Sequence, residues 1–298
     1  MKFGICLPHY GREIHLSHLL EMTREAERLG FDSIWVTDHL IVPDSVEIIY
    51  REHMLEPIAM LSHLAAVTSR MALGTSVIIL PYRNPIIVAK MLATIDILSS
   101  GRLIFGAAAG WMEGEFAALD VPFQERGEVS DEYLRIIREI WTHEHPQFQG
   151  KYFTLEEVTT SPIPVQNPHP PIWVGGNSKR AMRRAVELGD VWHPVGLAPD
   201  QIQEGRAYME RLSRRRNLDK VPGQSLRIGL SIEGISVPVG PYASRTGRTA
   251  LRGEVSEVKE KLAGYREVGV EHTVLDMSTL SYESFLKTME TFVTKVKA

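Results

Sequence analysis

An apolar segment that reads FDSIWV is typical of a buried β-strand, and after Thr37 it is followed by two titratable side chains, Asp38 and His39. An imidazole titrates near neutral pH, so His39 could take up or release a proton during catalysis. A histidine in such a place is about as often a hydrogen-bonded structural residue, and both roles stay open from this motif. The position after a strand makes Asp38 and His39 candidate active-site residues.

A glycine-rich motif, Gly175-Gly176-Asn177-Ser178, separates an apolar strand from a helix that begins Lys179-Arg180. Backbone N–H groups at a helix N-terminus bind anions, and glycine lets the anion approach closely. Asn177 or Ser178 can cap this helix, and Arg180 adds positive charge. The motif predicts a phosphate site, although two glycines before a helix also occur in plain strand-to-helix turns.

The run Gly106-Ala107-Ala108-Ala109-Gly110 ends another apolar strand and contains no bulky side chain. Small residues there allow close packing of a helix, and they also form a flat wall against which a planar ring can lie. The short side chains favour the wall, and with it Ala109 and Gly110 as cofactor contacts.

The elements that position these motifs repeat along the chain. A helix, a glycine and a strand follow one another at Gly30, Gly189 and Gly269, where the glycine is predicted to adopt the left-handed conformation that ends helices. Between residues 71 and 111 the order is strand, turn, helix and strand, and the two strands are apolar almost throughout. Such strands are typical of parallel sheets that are covered on both faces.

The helix of that unit has a clear start. Asn84 is predicted to cap it and Pro85 to occupy its first turn. The apolar residues of one face recur at helical spacing: Ile87, Met91, Ile95 and Leu98.

About eight strands alternate with about eight helices over 298 residues, which predicts an α/β fold, a (β/α)8 TIM barrel that forms one domain over residues 1–298. A doubly wound sheet is the alternative. Three inserted loops interrupt the alternation, at residues 40–55, 145–170 and 238–253. The first and third follow strands and are expected to shape the substrate site. A small hairpin is predicted about Gly150.

Composition excludes several classes of partner. The net charge of −4 argues against nucleic acid, and the basic cluster of Arg211 and Arg214 to Arg216 is interpreted as a solvated helix end. Cys6 stands alone and is expected to be a small core residue. The chain contains no apolar run of membrane length and no signal peptide, so we expect a cytoplasmic protein without a membrane partner.

Four stretches, in this order and at barrel spacing, resemble the luciferase-like monooxygenase superfamily of flavin and deazaflavin oxidoreductases: WVTDHL, EPIAMLSHLAAVTSRMALGTSVIILPYRNPIIVAKMLATIDILSSGRLIFGAAAGW, EGEFAALDVPFQERG and PIWVGGNSKRAMRRA. The resemblance extends from about residue 2 to residue 276. Within the superfamily the chain is most similar to the group of probable coenzyme F420-dependent oxidoreductases.

This resemblance implies a set of cofactor contacts. It places Asp38 and His39 beside the ring, with the ring's back face against a non-prolyl cis peptide bond at Ser76-Val77. It also implies that Ala109 and Gly110 line the cofactor and that Gly175 and Gly176 bind its phosphate. The sugar-phosphate dehydrogenases of the superfamily carry a glutamate where this chain has Trp111 and a tryptophan where it has Pro43, so a sugar phosphate is disfavoured as substrate.

The implied function is hydride transfer between the deazaflavin coenzyme F420 and an unidentified small organic molecule, with His39 assisting. An FMN-dependent monooxygenase that uses reduced flavin and oxygen is the main alternative. A barrel hydrolase with a metal bound by Asp38, His39, His193 and Asp276 is a minor one, and no metal is expected. A non-catalytic flavin-binding module is a further possibility. By analogy with relatives, we expect a homodimer.

Overall fold

The computed structural model describes residues 1–11, 15–44, 53–218, 220–237 and 248–297. Its strands are β1 (Lys2–Cys6), β2 (Ser33–Val36), β3 (Ala72–Thr75), β4 (Ile78–Ile79), β5 (Leu103–Ala108), β6 (Phe148–Gln149), β7 (Thr154–Leu155), β8 (Ile172–Gly175), β9 (Val191–His193), β10 (Gly223–Ile232), β11 (Ala250–Gly253) and β12 (His272–Asp276). Its α-helices are α1 (Leu16–Arg28), α2 (Pro57–Val67), α3 (Pro85–Leu98), α4 (Glu113–Ala118), α5 (Arg126–Thr142), α6 (Lys179–Leu188), α7 (Pro199–Arg215), α8 (Val255–Glu267) and α9 (Tyr282–Thr291).

Within these residues, eight parallel strands close into a barrel in the order β1, β2, β3, β5, β8, β9, β10, β12 and back to β1. Helices follow the strands and surround the barrel, which confirms the predicted (β/α)8 TIM barrel and rules out the open doubly wound sheet. Short strands β4 and β11 extend the sheet beside β5 and β10. The single-domain organisation over residues 1–298 stays a prediction.

The loop regions are only partly described. Strands β6 and β7 form the predicted antiparallel hairpin, which turns beyond Gly150. Residues 45–52 of the loop predicted at 40–55, and residues 238–247 of the loop predicted at 238–253, lie outside the described residues. Helix α4 was not predicted, and the helical turns after α9 widen over Phe292–Lys297. None of the helices in the described part of the chain combines the length and the apolar character that crossing a bilayer requires.

The start of α3 is as predicted, but its apolar face is not what the spacing suggested. The Asn84 side chain accepts hydrogen bonds from the N–H groups of Ile86 and Ile87, and Pro85 occupies the first turn. Of the predicted face only Ile95 is buried, whereas Ile87, Met91 and Leu98 are 57%, 40% and 61% exposed. A different face of α3 packs on the barrel: Val88, Ala89, Leu92 and Ala93.

The three glycines after helices serve two different purposes. Gly30 and Gly269 have φ angles of 79° and 87°, which is the predicted left-handed conformation. The prediction is wrong for Gly189, whose φ is −108°. A Cβ atom on Gly189 would lie 2.7 Å from Val174, so glycine is needed there for close packing of the chain against β8.

Two tryptophans close the inside of the barrel below the C-terminal ends of its strands. The rings of Trp35 and Trp173 lie 4.7 Å apart between their centroids, and Trp35 stacks beside His193. Gly4 and Gly74 flank Trp35, and a Cβ atom at either position would overlap its ring. This packing gives the space above the tryptophans a solid floor.

Candidate active site

A cavity of about 860 Å³ lies at the C-terminal end of the barrel, where active sites of this fold occur. It is within the usual volume range of cofactor and substrate pockets. The structure brings all the predicted site residues to its wall: Asp38, His39, Ser76, Val77, Ala109, Gly110, Gly175, Gly176 and Asn177.

His39 forms a buried pair with Glu115, a residue of α4. The imidazole Nδ1 lies 2.8 Å from Glu115 Oε2, which also accepts a 2.8 Å hydrogen bond from the Tyr82 hydroxyl. The other oxygen, Oε1, accepts hydrogen bonds from the N–H groups of Leu40 and Ile41. Burial by itself would raise the pKa of Glu115, but these donors outweigh burial and lower the pKa of Glu115 below its usual value.

The ionised Glu115 determines which imidazole nitrogen carries a proton. A carboxylate can only accept hydrogen bonds, so His39 must donate from Nδ1. Nε2 is then the acceptor nitrogen of the neutral ring. His39 was predictable from its place after β2, but Glu115 was not predicted, since its only sequence signal is its place in the EGEFAALD stretch.

Asp38 belongs to a second buried ion pair. Its two oxygens accept hydrogen bonds from both terminal nitrogens of Arg83, and Oδ2 also accepts from the Ile79 N–H. Arg83 in turn donates to Glu56 at the start of α2. Burial raises the pKa of Asp38, while the Arg83 guanidinium opposes this shift. These contacts fix the end of β2, and with it the backbone that carries His39.

The central wall of the cavity is built from the Ser76-Val77 segment and the small residues at the end of β5. The Ser76–Val77 peptide bond is cis, as the resemblance implied. Ala108, Ala109 and Gly110 line the cavity next to it. A Cβ atom on Gly175 would come within 2.9 Å of the Val77 side chain, so glycine at this position avoids a clash with Val77.

A buried polar network lies at the floor. His193 contacts the Ser76 hydroxyl through Nε2 at 2.8 Å and the Ser225 hydroxyl through Nδ1 at 2.7 Å. Burial and, to a smaller extent, the positive charge of Arg227 together lower the pKa of His193 to about 3, so the ring is neutral at physiological pH. Arg227 is paired with Asp276.

The glycine-rich motif meets the cavity at the start of α6. Ser178, and not Asn177, caps the helix by accepting a hydrogen bond from the Ala181 N–H at 3.2 Å. The Asn177 side chain instead bonds to both the N–H and the carbonyl of Val195. Gly176 has a φ of 119°, which only glycine adopts readily.

The charges around this turn favour an anion. The first turn of α6 contains no acidic residue, and it carries Lys179 and Arg180 where the helix dipole already presents positive charge. Arg180 lines the cavity together with Gly175 and Gly176. The arrangement fits a phosphate group.

The four residues considered as metal ligands do not converge. Asp38 pairs with Arg83 and His39 with Glu115, while His193 contacts two serine hydroxyls. Asp276 pairs with Arg227. Among the described residues, no group of three or more histidine, cysteine or acidic side chains has the arrangement of a metal site.

Comparison with known proteins identifies a family that this chain matches. The model of the family described as luciferase-like monooxygenase matches residues 1–233. The chain is 33% identical over 147 residues to the FMNH2-dependent dimethylsulfone monooxygenase of Pseudomonas putida, a match that covers 48% of this chain and 40% of that protein. It is 32% identical over 176 residues to the F420-dependent glucose-6-phosphate dehydrogenase of Amycolatopsis mediterranei, covering 58% and 51%.

Both matches span less than two thirds of these relatives. Among solved structures, the monooxygenase RslO1 from Streptomyces bottropensis superposes with a TM-score of 0.82 at 21% identity, over 100% of this chain and 99% of that one. At this identity the structural likeness shows the fold.

Proposed function

Because the chain belongs to the luciferase-like monooxygenase family, we propose that it is an oxidoreductase that transfers a hydride between coenzyme F420 and a small organic substrate. One observation carries this proposal: a single cavity joins a glycine-lined anion cradle to a buried histidine–glutamate pair. The cradle suits the phosphate of a cofactor, and the pair suits proton transfer beside its ring.

The cavity residues fit a flavin-type cofactor. The wall from Ala108 to Gly110 has no side chain larger than a methyl group, and Gly175 and Gly176 leave room at the start of α6. Trp111 lies edge-on to His39, with 5.9 Å between the ring centroids, and is 45% exposed. Trp111 would therefore form an apolar side of the substrate site next to the proton-transferring group.

The chain's own residues would hold, orient and exchange protons. A bound deazaflavin would supply or accept the hydride. Glu115 keeps the Nδ1 proton on His39, so that Nε2 exchanges a proton with the substrate oxygen or nitrogen as the hydride moves. Asp38 and Arg83 keep the end of β2 in place, and Gly175 and Gly176 would bind the phosphate.

The relatives of this chain support two candidate cofactors, F420 and FMN. The F420-dependent relative and the resemblance to the F420 group support the deazaflavin. The FMNH2-dependent relative supports the second candidate, a monooxygenase that uses reduced FMN and oxygen. The cradle suits either cofactor, because both carry a phosphate.

Binding distinguishes the two candidates directly. The purified protein is titrated separately with F420 and with FMN, and the two dissociation constants are compared. Tighter binding of F420, together with oxidation of reduced F420 by members of an aldehyde, ketone or imine panel, is the expected result. Tight binding of FMN with oxygen consumption and no binding of F420 would replace the proposal with the monooxygenase. Binding of F420 without any turnover would indicate a non-catalytic module.

Other parts of the sequence-based description stay predictions. We propose a small-molecule substrate that is not a sugar phosphate, since Trp111 stands where the sugar-phosphate dehydrogenases have glutamate. The predicted cytoplasmic location rests on the sequence, and the homodimer on the resemblance.

A further inference from the structure

Two ion pairs each contribute one member to the lining of the cavity. Arg227 lines the cavity, whereas its partner Asp276 is not among the described lining residues. Asp38 lines the cavity, whereas its partner Arg83 is not among those residues. The cationic end of one pair and the anionic end of the other therefore face the same space.

Arg227 is held rigidly at this position. It is 5% exposed, and its Nε and Nη2 atoms donate to Asp276 Oδ2 at 2.9 Å and 2.6 Å. Its third nitrogen, Nη1, donates to the Ser76 carbonyl at 2.7 Å and lies 3.2 Å from Thr37 Oγ1. The guanidinium thus contacts the segment that the ring's back face would cover.

Arg227 carries a positive charge at the floor, where the described groups His193 and Asp276 are neutral and anionic. His193 is neutral because burial keeps its pKa far below physiological pH. Asp276 is ionised, because the Arg227 charge and the Ser278 contacts outweigh its burial and lower the pKa of Asp276. Arg227 is shielded from solvent, and a charge acts more strongly there than at the protein surface.

We propose that Arg227 sets the reduction potential of the bound cofactor, by stabilising the negative charge of the reduced ring. A flavin or deazaflavin ring that takes up a hydride gains one negative charge, which it keeps if no proton follows. The cation facing the cavity favours this reduced form over the oxidised form. The negative charge of Asp276, which is paired with Arg227, opposes the effect and limits its size. The inference rests on the proposed binding of a flavin-type ring, but it holds for F420 and for FMN.

The test measures the midpoint potential of the cofactor bound to the whole protein, by anaerobic equilibration with reference dyes. The probe is F420, or FMN if FMN binds more tightly. Arg227→Met removes the cation, Arg227→Lys retains it, and Asp276→Asn removes the opposing anion. Arg102→Met is the matched control, since it removes an arginine directly before β5, at the other end of the barrel from the cavity.

Arg227→Met is expected to weaken binding of the reduced cofactor relative to the oxidised cofactor at least about tenfold, which lowers the potential by about 30 mV for a two-electron couple. Asp276→Asn is expected to raise the potential, and Arg227→Lys and Arg102→Met to stay near the wild-type value. If Arg227→Met does not fold, the sign of the Asp276→Asn shift decides. Unchanged potentials, or shifts of the same sign in Arg227→Met and Asp276→Asn, would overturn this inference while leaving the proposed function intact. A wild-type protein that binds neither cofactor would overturn both.

Discussion

His39 and Glu115 lie 76 residues apart in the sequence, and their side chains meet at 2.8 Å in a fully buried contact beside the cavity. Glu115 also collects hydrogen bonds from Tyr82 and from two backbone N–H groups. Four donors therefore converge on one carboxylate, which fixes both its ionisation and the orientation of the imidazole. This pair connects the fold to the proposed chemistry, because α4 holds Glu115 in contact with His39, the residue proposed to transfer a proton.

Replacing His39 tests the proton-transfer role. We expect His39→Ala to lower kcat by about 10²-fold or more, the usual scale for loss of a general acid or base, with little change in cofactor affinity. Steady-state rates with a substrate found by screening, together with cofactor titrations, measure the two effects. A loss of affinity with unchanged kcat would make His39 a binding residue.

Replacing Glu115 tests whether the imidazole must be oriented. Glu115→Gln keeps the size of the side chain, but the amide can present either oxygen or nitrogen to Nδ1, so the tautomer is no longer fixed. We expect kcat to fall about tenfold or more and the pH profile of kcat to change. Tyr82→Phe is the control, since it removes one donor to the same carboxylate and leaves the pair with His39 intact. Equal effects of the two substitutions would argue for a structural role.

The phosphate cradle is tested at Gly176. Gly176→Asp would place a carboxylate beside the predicted phosphate and is expected to weaken cofactor binding more than about tenfold. Because the φ of Gly176 is 119°, any side chain strains the backbone there. Gly176→Asn carries the same strain without the charge, so the difference between Asp and Asn measures the electrostatic effect. If both variants bind the cofactor like the wild-type protein, the cradle does not hold the phosphate.

The fold was predictable because its signals are local. Caps such as Asn84, terminating glycines such as Gly30 and continuous apolar strands each occupy a few neighbouring residues, and their repetition defines the barrel. The strand ends that carry His39, Gly110 and Gly176 were predictable for the same reason, since parallel strands bring their C-terminal ends to one face.

The partners of these residues were not predictable. Arg227 reaches the Ser76 carbonyl across 151 residues of sequence, and no periodicity relates the two. Helix α3 shows a related limit of prediction from spacing, since it is apolar on more than one face. Spacing identifies residues that share a face, but it does not say which face packs on the barrel.

The homodimer prediction can be tested by substitutions on the exposed apolar face of α3. Ile87, Met91 and Leu98 are joined by Val165, which is 56% exposed and whose N–H bonds to Asp96 of α3. Apolar surface of this kind is often covered by a second copy. We expect the wild-type protein to sediment as a dimer and Met91→Glu to shift it toward the monomer. Leu218→Glu, at an exposed leucine outside this face, should leave the dimer unchanged. A monomeric wild-type protein would contradict the prediction.

Three of the buried histidines in the described part of the chain, His9, His193 and His272, should make the fold sensitive to mild acid. Burial lowers the pKa of His193 to about 3, and that of His9 and His272 to about 4. An unfolded histidine has a pKa of about 6.5, so between these values the unfolded chain binds protons that the folded chain excludes.

Stability must therefore fall as the pH drops below about 6.5, and the loss continues until the folded pKa values are reached. Between pH 7 and pH 5 each of these three histidines should remove about 2 kcal/mol from the free energy of unfolding, measured by urea denaturation at each pH. His272→Gln, which can still contact the Ser33 hydroxyl, should reduce this pH dependence by about one histidine's share. His63→Gln, at an exposed position on α2, should leave it unchanged. The same pH dependence in His272→Gln as in the wild-type protein would show that His272 does not resist protonation in the folded state.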